Sequence, residues 1–167
     1  MTDALTIRTA TRDDSDAIWR ILEPVIRAGE TWALPRQMTR AQALAYWFDD
    51  HEVFVAETGG QIVGTYFFRA NQQGPGAHVG NCGYMTAAHA QGRGVARAMC
   101  AHSIAHARSN GFRAIQFNFV VSSNARAVAA WQSMGFDIVG RLPEAFAHPA
   151  LGYVDVYVMF RRLENLA

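Results

Sequence analysis

The stretch Gln91-Gly92-Arg93-Gly94-Val95-Ala96 stands between an apolar run, Val79 to Met85, and a helical pattern that continues to about Asn110. A strand, a glycine-bearing turn and a helix start, in that order, make an anion site. The first amides of a helix have no partner inside it, and the helix dipole places partial positive charge there. Glycines let a phosphate approach the backbone closely. The fold and the function both turn on which phosphate-bearing ligand suits this turn.

Working outward, the flanking pattern is that of an α/β protein. Downstream, Gly111 stops the helix and Arg113 to Val121 is apolar apart from Gln116 and Asn118, as in a strand covered on both faces. Strand, helix and strand at this spacing predict a parallel pair with a right-handed crossover. Ser122-Ser123-Asn124 caps a further helix with Ala127, Val128, Trp131 and Met134 on its apolar face, ended by Gly135. Phe136 to Arg141 and Tyr153 to Phe160 read as the last strands, with a long loop through Pro143, His148 and Pro149 between them. Upstream, Val53 to Glu57 and Ile62 to Arg69 form a hairpin about Gly59-Gly60. Leu5 to Arg8 is a short first strand. A first helix starts at Asp13 to Asp16, is lined by Ile18, Ile21, Leu22 and Val25, and is kinked or ended by Pro24. Thr39 caps a second helix carrying Leu44, Trp47 and Phe48. The sum is a mixed sheet, antiparallel at the start and parallel in the middle.

Composition narrows the class. The 167 residues suit one domain, 1–167, with a core over about 5–160. Half the residues are apolar and 17% are charged, as in ordinary globular proteins, and a net charge of +1 excludes bulk electrostatic attraction to nucleic acid or a membrane surface. No secretory leader is read at the start and no segment is long enough to span a bilayer. Cys82 and Cys100 form no metal-ligand cluster, so a reduced, cytoplasmic setting without metal is expected.

The turn itself excludes two ligands. A nucleotide-binding P-loop ends in Gly-Lys-Ser/Thr, whereas Gly94 is followed by Val95. A dinucleotide fingerprint needs a third glycine where Arg97 stands, and no acidic residue ends the next strand to hold a ribose. Gln91-x-x-Gly94-x-Ala96 instead resembles the acyl-CoA pyrophosphate loop, Gln/Arg-x-x-Gly-x-Gly/Ala, of the GCN5-related N-acetyltransferases. Asn124-x-x-Ala127-x-x-x-Trp131-x-x-x-Gly135-Phe136 resembles a second block of that family, in the family's order and spacing. The likeness runs from about Leu5 to Phe160.

This resemblance implies a mixed, centrally splayed sheet of about six to seven strands flanked by helices, and acetyl-CoA as co-substrate. It assigns the backbone amides of Gly92, Arg93, Gly94, Val95 and Ala96 to the pyrophosphate, with Gln91 in the motif and Arg93 and Arg97 adding charge. The backbone of Met85 and Thr86 would pair with the pantetheine arm as an added strand, and a free amide there, Met85 foremost, would polarise the thioester carbonyl. Asn124 would bond the same arm. Trp131 departs from the family's frequent Tyr, which protonates the departing thiolate. An indole N–H does not release a proton near neutral pH, so Trp131 packs on pantetheine, acceptor or core instead. Ala88 replaces a frequent Pro, which bears on turn stiffness.

The acceptor side is carried by fewer signals. Glu30, in the loop after the first helix, is the carboxylate best placed to take a proton from an attacking amine. Asn81 and Asn118 are amides within strands expected to be buried, and each needs hydrogen bonds. They suit either the splay itself or a polar acceptor. Trp32 and Tyr66, with Trp47, would close a small-molecule pocket. Asp155, His78 and His148 are further titratable candidates, each with a structural reading as good. The segment Phe117 to Asn124 with Trp131 and Gly152 to Asp155 is also similar to a subgroup that includes fungal acetyltransferases of azetidine-2-carboxylate. That likeness implies a small amino or imino acid acceptor. Cys82, in a buried strand with no activating His, is expected to be inert, so the reaction is read as direct attack in a ternary complex. A non-catalytic acyl-CoA-binding module and a protein lysine or N-terminal acetyltransferase stand as alternatives. Exposed late strands would allow a homodimer.

Overall fold

The computed structural model describes residues 4–163. Seven strands and four α-helices alternate as β1 (Thr6–Thr9), α1 (Ser15–Ala28), α2 (Arg40–Phe48), β2 (Glu52–Thr58), β3 (Gln61–Ala70), β4 (Val79–Thr86), α3 (Val95–Ser109), β5 (Ala114–Val121), α4 (Ala125–Ser133), β6 (Asp137–His148) and β7 (Gly152–Arg162). They build one open, mixed sheet in the order β1-β2-β3-β4-β5-β7-β6. The expected architecture is present, and the β4–α3–β5 unit supplies the parallel pair.

Local chemistry explains the element boundaries. Gly59 and Gly60 turn the β2–β3 hairpin with φ of 56° and 71°, values that favour glycine. Thr39 caps α2 by accepting from the Gln42 amide, while the Gln42 side chain returns to the Thr39 amide. The alternation of β3 sends Phe67 toward α1 and α2, where it meets Trp32 and Trp47, and Tyr66 and Phe68 toward α3, where they meet His102 and His106. Trp47 is fully buried, and its indole donates to Thr65 Oγ1 at 3.0 Å. Thr65 in turn donates to the Phe54 carbonyl at 2.9 Å, so this buried polar chain is satisfied.

Two expectations from sequence are corrected. Pro24 does not end α1, which continues through Ala28 to its C-cap Gly29 at φ 65°. Pro24 is on the exposed face, where water can serve the carbonyl that loses its partner. The long loop expected after Arg141 is instead strand. β6 and β7 form a hairpin whose turn is held by the Ala150 and Leu151 amides donating to His148 Nδ1 at 3.1 and 3.2 Å. Pro143 is accommodated because the ladder bulges between Leu142 and Phe146, with Glu144 at φ 51°.

Candidate active site

β4 and β5 pair at Val79–Ala114 and Gly80–Ile115 and then part. At the point of separation Asn81 Nδ2 donates to the Gln116 carbonyl at 2.9 Å, a side chain continuing where the ladder stops. β5 also shifts register against β7 between Phe117 and Val120, just beyond the point where its pairing with β4 ends. The gap is bounded by the Glu30–Leu34 loop, β4, the turn after β4 and the start of α4. It holds two clefts that share Thr31, Trp32, Tyr84, Asn124, Ala127 and Trp131 as walls.

The larger cleft, about 470 Å³, lies at the start of α3. Gly92 and Gly94 take φ of 76° and 81°, folding the backbone so that the helix begins at Val95. Ala98 makes the first backward bond, to the Gly94 carbonyl at 2.9 Å, which leaves the Val95, Ala96 and Arg97 amides unpaired within the helix. Gln91, Gly92, Gly94, Val95, Ala96 and Arg97 all line this cleft, whereas Arg93 is exposed and is not part of its wall. A second arginine takes its place. Arg126, in the first turn of α4, lines the cleft, and its Nη2 lies 3.2 Å from where a Cβ on Gly92 would stand. Sequence reading missed Arg126. The available signal was a cation in the first turn of a helix, where the dipole opposes it unless an anion binds there.

The β3–β4 ladder settles which backbone groups face the gap. Asn71 donates to Val79 and Ala87 donates to Val63, and the register between them is unbroken. Antiparallel strands alternate, so Asn81, Gly83 and Met85 direct their amides to β3, and Tyr84 and Thr86 direct theirs toward the gap. Thr86, expected to pair with the pantetheine arm, has its amide on the gap side. The expectation for the Met85 amide is corrected, because Met85 is opposite Thr65 and its backbone is engaged there. Met85 still lines the larger cleft.

The smaller cleft, about 240 Å³, lies beyond Tyr84 and Trp131. Trp32 can lie over the sheet because residue 83 is glycine. A Cβ there would stand 2.4 Å from Trp32 Cη2 and 2.6 Å from the Phe67 ring. Asn81 and Asn118 both line the cleft and both are satisfied within the chain. Asn118 donates to Asn71 Oδ1 at 2.6 Å and accepts from Gln116 Nε2 at 2.9 Å. Arg69, paired with Asn81 across β3–β4, enters the same cleft and donates from Nε to Asn81 Oδ1 at 3.4 Å. The structure corrects the placement of Tyr66. It is fully buried against α3, its hydroxyl 2.6 Å from His102 Nδ1, and it lines neither cleft because strand alternation points it to the opposite face from Phe67.

Proton chemistry is sparse here. Glu30 lines the larger cleft, is exposed, and is the one carboxylate in the walls of either cleft. Tyr84 lines both clefts, but its hydroxyl lies 2.7 Å from Ser103 Oγ, which itself donates to the Cys100 carbonyl. Tyr84 is therefore the donor in that pair, and burial pushes its phenol well above the ordinary range. Burial likewise pushes the Cys82 and Cys100 thiols up to about 12. Trp131 is 8% exposed and packs on Tyr84 and Phe117 at centroid distances of 5.0 and 5.4 Å. Asn124 caps α4 weakly through Oδ1, at 3.4 Å from the Ala127 amide, and lines both clefts. Asp155 is structural, meeting Arg141 at 3.3 Å and the Glu144 amide at 3.0 Å. His78 and His148 line neither cleft. Among the described residues no group of acidic, His and Cys side chains could hold a metal ion, and no helix is long and apolar enough to cross a membrane.

Comparison with known proteins agrees with this geometry. The Acetyltransferase (GNAT) family matches residues 17–136, and the chain belongs to that family. A GCN5-related N-acetyltransferase from Kribbella flavida is 44% identical and superposes with a TM-score of 0.92, covering 96% of this chain and 98% of that one. The N-acetyltransferase aca1 of Schizosaccharomyces pombe is 22% identical over 153 residues, 80% of this chain and 72% of that protein. The fold is also that of yncA from Salmonella typhimurium, solved with its cofactor acetyl-CoA, at a TM-score of 0.84 and 22% identity over 98% of this chain and 96% of that one. The chain is thus an acetyl-CoA-dependent N-acetyltransferase of the GNAT family.

Proposed function

We propose that the protein transfers the acetyl group of acetyl-CoA to the amine of a small molecule, such as an amino or imino acid, by direct attack in a ternary complex. The observation that supports this reading is the pair of clefts meeting at shared walls, one with the amides of a helix start, the other small and lined by aromatic rings and amides. The Gly92–Arg97 amides, with Arg97 and Arg126, would hold the pyrophosphate. Thr86, facing the gap, would pair with the pantetheine arm as an added strand, and Asn124 would bond it from the other side. Tyr84 lines both clefts, so its outward amide is the donor assigned to the thioester oxygen, the role first expected of Met85.

The amine nitrogen then attacks the thioester carbon, the C–S bond breaks, and the amine's extra proton passes through solvent to Glu30. No side chain is assigned to protonate the leaving sulfur. Trp131 has no proton to give, and the Tyr84 hydroxyl is turned away into Ser103. Coenzyme A leaves as the thiolate, which is accessible near pH 8. The exposed side chains of Val139, Leu151 and Tyr153 on the β6–β7 hairpin support a homodimer, which sedimentation would test.

The test is calorimetric and kinetic. Acetyl-CoA should raise the melting temperature where NAD and ATP do not, and CoA should be released with one or more of a panel of amino acids and polyamines. Binding without release on any amine would leave a non-catalytic acyl-CoA-binding module. An acetyl group trapped on Cys82 at a competent rate would overturn direct attack.

A further inference from the structure

Resting on acetyl transfer at this site, we propose that Arg69 is the residue that selects the acceptor, by binding its carboxylate. The substrate class is then a short anionic amine, an α-amino or imino acid with an apolar side chain. Arg69 is the one charged side chain in the smaller cleft, whose walls contain no carboxylate and no imidazole. Among the described residues Arg69 meets no acid at all. Its recorded partner is Asn81, reached through Nε, which leaves both terminal nitrogens of the guanidinium for a planar, bidentate anion. Most of the other arginines with side-chain partners are anchored in the fold. Arg8, Arg12, Arg40 and Arg141 pair with carboxylates, and Arg36 and Arg161 bond backbone carbonyls.

Placement sets the size of the ligand. Arg69 is opposite Asn81, and Tyr84 lies three residues further along β4, about 10 Å at the usual rise per residue. Both line the same cleft, and an extended arginine side chain is long enough to span part of that distance. What remains fits an acid whose amine is one or a few carbons from its carboxylate. Tyr46, Phe67 and Trp32 complete the wall and suit an apolar side chain. Burial dominates at its neighbours, raising the Tyr46 phenol and lowering the His51 imidazole, and the Arg69 charge adds a smaller downward pull on both. Cationic acceptors, polyamines and lysine-rich peptides, are disfavoured by that charge.

The experiment measures CoA release with L-amino acids and proline against their α-carboxamides and their decarboxylated amines. Wild type is compared with Arg69→Lys and Arg69→Ala, and acetyl-CoA melting shifts are recorded for each. The expected result is a preference for the acid of at least 100-fold in kcat/KM over its carboxamide. Arg69→Ala should lose that preference by slowing on the acid alone, Arg69→Lys should keep part of it, and all three should keep the acetyl-CoA shift. Equal rates on acid and carboxamide, or equal losses on both in Arg69→Ala, overturn the carboxylate site. Turnover of neutral or cationic amines alone also overturns it while acetyl transfer stands. Failure of wild type to bind acetyl-CoA, or to release CoA with any amine, overturns the reading beneath it and this proposal with it.

Discussion

The two clefts are built from different materials. The donor cleft is made largely of backbone, two glycines at positive φ and the unpaired amides that start α3, and its charge comes from two arginines on separate helices. The acceptor cleft is made of side chains converging from β3, β4, β5 and the loop after α1. Backbone geometry tolerates many side chains provided the glycines stay. A cleft of side chains changes its ligand with single substitutions. The conserved part of the chemistry is therefore expected on the first and the specificity on the second, and mutation should separate them.

Gly94→Trp should have the largest effect. Gly94 is at φ 81°, a conformation that costs an L-residue roughly 1–2 kcal/mol, and the indole would project from the wall of the donor cleft. The acetyl-CoA melting shift should vanish, with activity down more than about 100-fold. A retained shift would mean that the donor lies elsewhere. Glu30→Gln should lower kcat by about 100-fold, as expected for loss of a general base, with acetyl-CoA binding intact. An unchanged kcat would assign the proton to bulk water. Gly83→Ala should act on the acceptor cleft alone. Its new methyl meets Trp32 and Phe67 below 3 Å, an overpacking worth about 1–3 kcal/mol in stability. Displacing Trp32 should raise the acceptor KM several-fold more than that of acetyl-CoA. Equal changes in both would show that the two clefts are not separable at Trp32.

The same contrast explains what was legible in the sequence. Gln91 to Ala96 and the Asn124 to Phe136 block are contiguous, and a turn made by glycines is written where it acts. Strand alternation was legible in principle, yet it needs the register. Placing Met85 opposite Thr65 is what turns its amide away and brings forward those of Tyr84 and Thr86. Tyr66 failed for the same reason, since an aromatic strand residue belongs to one face or the other according to its partner. Arg69 carried no local signal. It becomes notable only when β3 brings it beside Asn81 and when no carboxylate is found to meet it. The β6–β7 hairpin hid its length behind Pro143, which reads as a breaker until the bulge that accommodates it is seen.

The smallest expected effect concerns stability, and it lies outside the donor cleft. His51 stacks on Phe67 at 4.3 Å with its Nδ1 3.0 Å from the Trp47 carbonyl, and His102 Nδ1 meets the Tyr66 hydroxyl at 2.6 Å. Burial is the main cause that pulls both imidazoles below their ordinary range. Each is therefore neutral when folded at a pH where the unfolded chain has begun to protonate it. The unfolded state binds more protons, so stability rises with pH. This contribution is complete above the ordinary histidine value of about 6.5 and is lost as pH falls toward the lowered folded values. Asp14, held low chiefly by its hydrogen bond to Arg8, adds its own loss only in the more acidic carboxylate range. Between about pH 6.5 and 5 the melting temperature should thus decline by a few degrees, and the double substitution His51→Gln with His102→Gln should flatten that slope. A flat profile in wild type would show that these rings protonate as readily in the folded protein as in the unfolded chain, and an unchanged slope in the double variant would assign the pH dependence to other groups.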